Sequence, residues 1–204
     1  MRLAPQGPRG RSFMLSMEER AALAKPVRTL QMIVIALLMG VVSFNVVVLV
    51  LRPGEAGGTR APITPHSARV LGYAALAVGI AALLGLPPLA RLLVASGRRS
   101  IARGSAPTLS VGAMRTETRE PFMQSAKGRL FQLYFTRTIV SAALVEGAAF
   151  VNLVACMQAS WMPNLYVIVL LAVALAAQTP TMMRVETWLE RQERMLEQDR
   201  SLSV

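Results

Sequence analysis

Four stretches of this chain hold a single charged residue between them, and each is about as long as a bilayer is thick. They lie at about 30–51, 70–90, 138–157 and 161–178, and the lone charge is Glu146. A helix needs about 20 apolar residues to cross the hydrocarbon of a membrane. Hydrocarbon offers no water to the backbone, so every N–H and C=O in such a stretch must bond internally, which selects helices. The sequence therefore predicts an all-α fold, an integral membrane four-helix bundle with a C-terminal amphipathic cytoplasmic helix. Composition agrees: 53% of residues are hydrophobic and 16% are charged, against about 25% charged in soluble domains.

Local signals divide the chain further. Residues 1–27 read as a basic N-terminal tail with a short helix, 28–178 as the membrane domain and 179–204 as the amphipathic helix. Pro5, Gly7, Pro8 and Gly10 break any helix at the start. Ser16-Met17-Glu18-Glu19 is a capping box, whose serine and second glutamate each serve the other's backbone N–H. Pro26 is expected to end or bend the helix it opens. The span at 30–51 is too long, and followed by no small-residue cleavage site, to be a signal peptide. In the second span, Ala75 and Gly79 form a small-xxx-small pair that permits close helix contact. Pro87 and Pro88 are expected to interrupt its inner end. In the last segment, Met182, Val185, Trp188, Leu189, Met195 and Leu196 make an apolar stripe among alternating charges.

The net charge is +11, from 22 Lys and Arg against 11 Asp and Glu. The arginines sit beside the spans, without interleaved aromatics, so topology and lipid contact explain them better than nucleic acid does. Basic residues stay on the cytoplasmic side. The tail and the polar loop 91–137 are Arg-rich, so both termini are expected to be cytoplasmic, although Arg52, Arg60 and Arg69 dilute the contrast. A bacterial inner, or cytoplasmic, membrane is the expected location. The lipid bilayer and its anionic headgroups are the expected partners, each basic residue near the surface adding about 1 kcal/mol of attraction. One cysteine, Cys156, and one histidine, His66, leave no disulfide and no zinc or haem cluster. No metal or cofactor is expected. Nucleotide-binding, hydrolase and metalloprotease motifs are absent, so the chain reads as a non-enzyme.

Glu146 is the candidate functional residue. A charge at the centre of a membrane helix costs roughly 2.5–3.5 kcal/mol. Counting from Thr138 at 1.5 Å per residue, Glu146 lies roughly 12 Å into the hydrocarbon. Desolvation disfavours the charged form there, so the carboxyl is expected to be neutral. The carbonyls of Leu83 and Leu84, freed by Pro87 and Pro88, would sit at a similar depth and are the expected acceptors. Such a bond between helices contributes about 0.6 kcal/mol. Ala142, Ala143 and Ala149 surround the carboxyl and leave room for another helix.

The stretch ALVEGAAFVNLVA, Ala143 to Ala155, resembles the carboxylate helix of the proteolipid (c) subunit of rotary ATP synthases. In that family Ala-Leu-x-Glu precedes an apolar, aromatic-containing half-helix. The resemblance is local and implies that Glu146 would correspond to the proton-carrying carboxylate. Two functions are thus expected of such a chain. One is a scaffold or accessory subunit of a membrane complex, with a homo-oligomer or another membrane protein as partner. The other is a proton- or cation-translocating subunit that uses Glu146.

Overall fold

The structure, a computed structural model, describes residues 16–50, 65–102, 125–159 and 162–201. Five helices account for nearly all of them: α1 (Met17–Val50), α2 (Pro65–Ala102), α3 (Ala126–Ala159), α4 (Met162–Ala177) and α5 (Met182–Ser201). No strand occurs among the described residues. Three helices, α1 to α3, are long and apolar enough to cross a membrane. The fourth, at 16 residues, spans only about 24 Å. Joined with α5 it also passes, as a pair bent by 74°.

The capping box forms as its residues dictate. The Ser16 N–H donates to Glu19 Oε2 at 2.9 Å, and the Glu19 N–H donates to Ser16 Oγ at 3.1 Å. The helix it opens does not stop at Pro26: α1 is one element of 34 residues, so the separate short helix expected before the first span merges with it. Proline deletes one backbone bond, but Leu23 and Val27 on either side are buried and anchor the helix there. Likewise α2 continues through Pro87 and Pro88 to Ala102, held beyond them by buried Ala90, Val94 and Ile101. The expected loop 91–137 therefore shrinks, since α2 takes its start and α3 its end. What remains, 103–124, lies outside the described residues, as do 1–15 and 51–64.

Helix α3 touches each of the other four and forms the axis of the fold. Three buried clusters follow it. At one end, Leu23 and Val27 of α1, Ile101 of α2 and Leu130, Phe131 and Leu133 of α3 enclose Val185, Leu189 and Leu196 of α5. In the middle, Val34 and Val41 meet Ala142, Val145 and Ala149, with Leu171 and Leu175 of α4. At the far end Val48, Leu153, Cys156 and Ile168 close the core. Ion pairs gather at the α5 end: Arg20 with Glu186 at 3.0 Å, Arg98 with Asp199 at 2.6 Å and Lys127 with Glu19 at 3.1 Å. They tie α5 to α1 and α2, and α3 to α1.

Small residues set the helix spacing. A Cβ on Gly79 would stand 2.5 Å from Val167 Cγ1 and 3.0 Å from Asn152 Nδ2, so the Ala75–Gly79 pair does bring α2 close. Gly97 does the same against Leu133 of α3. Gly85, by contrast, opens onto free space.

Two outcomes follow from this packing. Gly79→Ala is expected to lower stability by about 1–3 kcal/mol, because stiff Val167 has to move, whereas Gly85→Ala is expected to be tolerated; thermal unfolding in detergent measures both. The second concerns Glu19, in the part of α1 that precedes its apolar run. Burial alone would push its carboxyl up, but the Ser16 N–H and then the Lys127 ammonium outweigh it and hold it below the ordinary value. A depressed carboxyl stabilises the fold above the unfolded-state pKa and ceases to do so as pH falls through the folded value. Glu19→Gln is thus expected to lower the unfolding midpoint at neutral pH, and the gap to the wild type should narrow as pH drops through the carboxylate range.

Candidate functional site

A polar girdle marks one boundary of the apolar layer. Gln31 Nε2 of α1 donates to the Pro180 carbonyl at 2.7 Å, and Ser141 Oγ of α3 donates to Gln178 Oε1 at 3.0 Å. These bonds supply partners to the turn between α4 and α5, whose polar groups would be costly to leave unpaired in an apolar setting. Glu146 lies five residues further along α3 than Ser141, roughly 7.5 Å along the helix axis.

The carboxyl of Glu146 faces α1. Its Oε1 is 3.7 Å from where a Cβ on Gly40 would stand, so the missing side chain makes the space it occupies. One turn on, Phe44 and Phe150 meet edge to face with centroids 5.4 Å apart. The two helices therefore run parallel here, in step. Ala142, Val145 and Ala149 beside Glu146 are buried, while Glu146 itself is partly exposed. Among the described residues it has neither a hydrogen bond nor an ion pair.

The expected acceptors lie elsewhere. Leu83 and Leu84 belong to α2, where Leu83 packs on the middle cluster and Leu84 is 73% exposed. No hydrogen bond joins either carbonyl to Glu146 among the described residues. Helix geometry explains it, since successive residues are rotated by about 100°. Beside the α2–α3 contact, the exposed Ala143, Leu144 and Gly147 of α3 line a shallow apolar groove of about 430 Å³ together with Ala82, Gly85 and Leu86 of α2. Glu146 sits one step round from that face.

The far half of the core holds asparagines instead. Asn152 is fully buried, and its Nδ2 donates to the carbonyls of Ala75 and Ala148, both at 2.9 Å. The first of these bonds crosses from α3 to α2, just where Gly79 lets the helices approach. Asn152 Oδ1, Asn45 Oδ1 and both polar atoms of the Asn164 side chain are buried without a hydrogen-bond partner. Neither Asn152 nor Asn164 stands out in the sequence, since each is a single amide inside an apolar run. Gly40 was likewise hidden, as one glycine in an apolar run. Cys156 is buried among Val48, Leu153 and Ile168. Among the described residues no three His, Cys, Asp or Glu side chains group as a metal site.

Comparison with protein-family models, curated proteins and solved structures finds no match to this chain. The resemblance of Ala143–Ala155 to the proteolipid helix thus rests on those residues alone.

The bond from Asn152 to Ala75 is the site's clearest link between helices. Asn152→Ala is expected to cost about 0.6–1.7 kcal/mol, read as a lowered unfolding midpoint, while Ser43→Ala, at an exposed position of α1, is expected to leave it unchanged.

Proposed function

We propose that this chain is a non-enzymatic accessory or scaffold subunit of a membrane complex. In this reading α1 to α4 cross a cytoplasmic membrane as a four-helix bundle, both termini face the cytoplasm, and α5 is an amphipathic helix on that side. The observation that supports it best is the build of the α5 end. Three helices continue past their apolar stretches and enclose the apolar residues of α5, with ion pairs around the rim. An ordered polar layer of this kind, fixed to helices apolar enough to cross lipid, gives a partner a rigid surface. Arg99, Arg191 and Arg194 stand exposed on it.

A second reading, proton or cation translocation through Glu146, is favoured by one observation. The carboxyl makes no bond that would explain its place as packing. It rests against Gly40, partly exposed, on a helix that resembles a proton-carrying one. A reversibly protonated group needs such freedom, and a copy of the chain or another subunit would have to complete the path.

Replacement and reconstitution separate the two. Glu146→Gln keeps the shape of the side chain and removes its acidity. The scaffold reading expects the variant to fold, to leave proton permeability of vesicles unchanged, and to retain the proteins that crosslink to the chain in native lipid. A wild-type proton flux that disappears in a normally folded Gln variant would establish translocation in its place.

A further inference from the structure

Apart from either role, we propose that Arg137 and Arg184 form a site for the phosphate of an anionic phospholipid, framed by Tyr134 and Trp188. The aromatic pair brings the two helices together: Tyr134 of α3 and Trp188 of α5 meet edge to face with centroids 5.2 Å apart. Residues three and four apart on a helix share a face. Arg137 therefore stands one turn beyond Tyr134 and Arg184 one turn before Trp188, both on the side nearer the girdle of Gln178 and Pro180. Both guanidinium groups are close enough to Tyr134 to act on its hydroxyl electrostatically. Arg184 is held at this level, because its Nη1 donates to the carbonyl of Ala177, the last residue of α4, at 2.9 Å.

Arg137 and Arg184 differ from Arg99 and Arg191 in flanking an aromatic pair, and from the ion-paired arginines in their partners. Arg20 and Arg98 have carboxylate partners. Among the described residues neither Arg137 nor Arg184 has one. Two cations on neighbouring turns beside the Tyr134–Trp188 pair repel each other, and an anion between them relieves that repulsion. A guanidinium presents several donors in a planar fork that suits phosphate oxygens. Tyr and Trp favour the layer where headgroups meet hydrocarbon. That layer is where α4 ends, so the anion that reaches this place most readily is the phosphodiester of a lipid. The general attraction of basic residues for anionic headgroups is thereby concentrated on two of them.

Trp188 provides the test. The chain has two tryptophans, so a Trp161→Phe background leaves Trp188 as the only one. The full chain is reconstituted in phosphatidylcholine vesicles containing a small fraction of phosphatidylglycerol brominated near the headgroup, or the same fraction of brominated phosphatidylcholine. The proposal expects stronger quenching of Trp188 by phosphatidylglycerol. In Arg137→Gln/Arg184→Gln the apparent affinity should fall by at least about tenfold. Arg99→Gln/Arg191→Gln removes the same charge from exposed positions and should keep it. Unfolding midpoints establish that each variant is folded, and Arg137→Gln alone serves if the double variant is not. Equal quenching by the two lipids, or equal loss in the two double variants, overturns the site. So does displacement of the lipid by millimolar inorganic phosphate, which would make the ligand a free anion.

Discussion

Close approach of α2 to α3 is the constraint on which the rest of this structure depends. Between helices apolar enough to lie in lipid, the hydrophobic effect gives little preference for each other over the solvent, so contact rests on packing and a few hydrogen bonds. At Gly79 the backbone of α2 comes near enough for Asn152 to reach the Ala75 carbonyl and for Val167 of α4 to fill the remaining space. Three helices are fixed at one level by one absent side chain. Gly97 repeats the device against Leu133 nearer the α5 end. These two contacts, about eighteen residues apart on α2, set the line along which α2 lies on α3.

Much of the architecture was legible because its cause is local. Length without charge marks the apolar spans, the Ser16–Glu19 box marks the start of α1, and Ala75 with Gly79 marks a packing face. Helix ends were less legible. Pro26, Pro87 and Pro88 are breakers by their own chemistry, yet each lies inside a helix: Leu23 and Val27 are buried on either side of Pro26, and Ala90 and Val94 just beyond Pro88, which offsets the lost backbone bonds. The stripe on α5 was visible, but its destination was not: the partners Leu23, Ile101 and Leu130 come from three other helices, and no window of sequence brings them together.

The candidate site divides in the same way. Glu146 is conspicuous because a charge in an apolar run has a known cost. Its surroundings depend on rotation about α3 and on which helix lies opposite, and neither can be counted from one span. The expected Leu83 and Leu84 carbonyls lie in a different direction, since Gly40 of α1 stands against the carboxyl. Gly40, which matters most to Glu146, carries no chemistry that a sequence reading would single out. The unpartnered asparagine atoms are in the same position: Asn45, Asn152 and Asn164 are ordinary residues until three helices turn them inward.

The unbroken run of α1 through Pro26 has a mechanical consequence. Of its 34 residues, some thirteen precede the apolar stretch and project about 20 Å from it. A rod of that length acts as a lever: a lean of about 10° within the lipid would carry its tip sideways by roughly 3.5 Å. Arg20 and Glu19 near that tip hold α5 and α3, so thickness or tension in the surrounding bilayer would be felt as displacement among the charged residues at the far end.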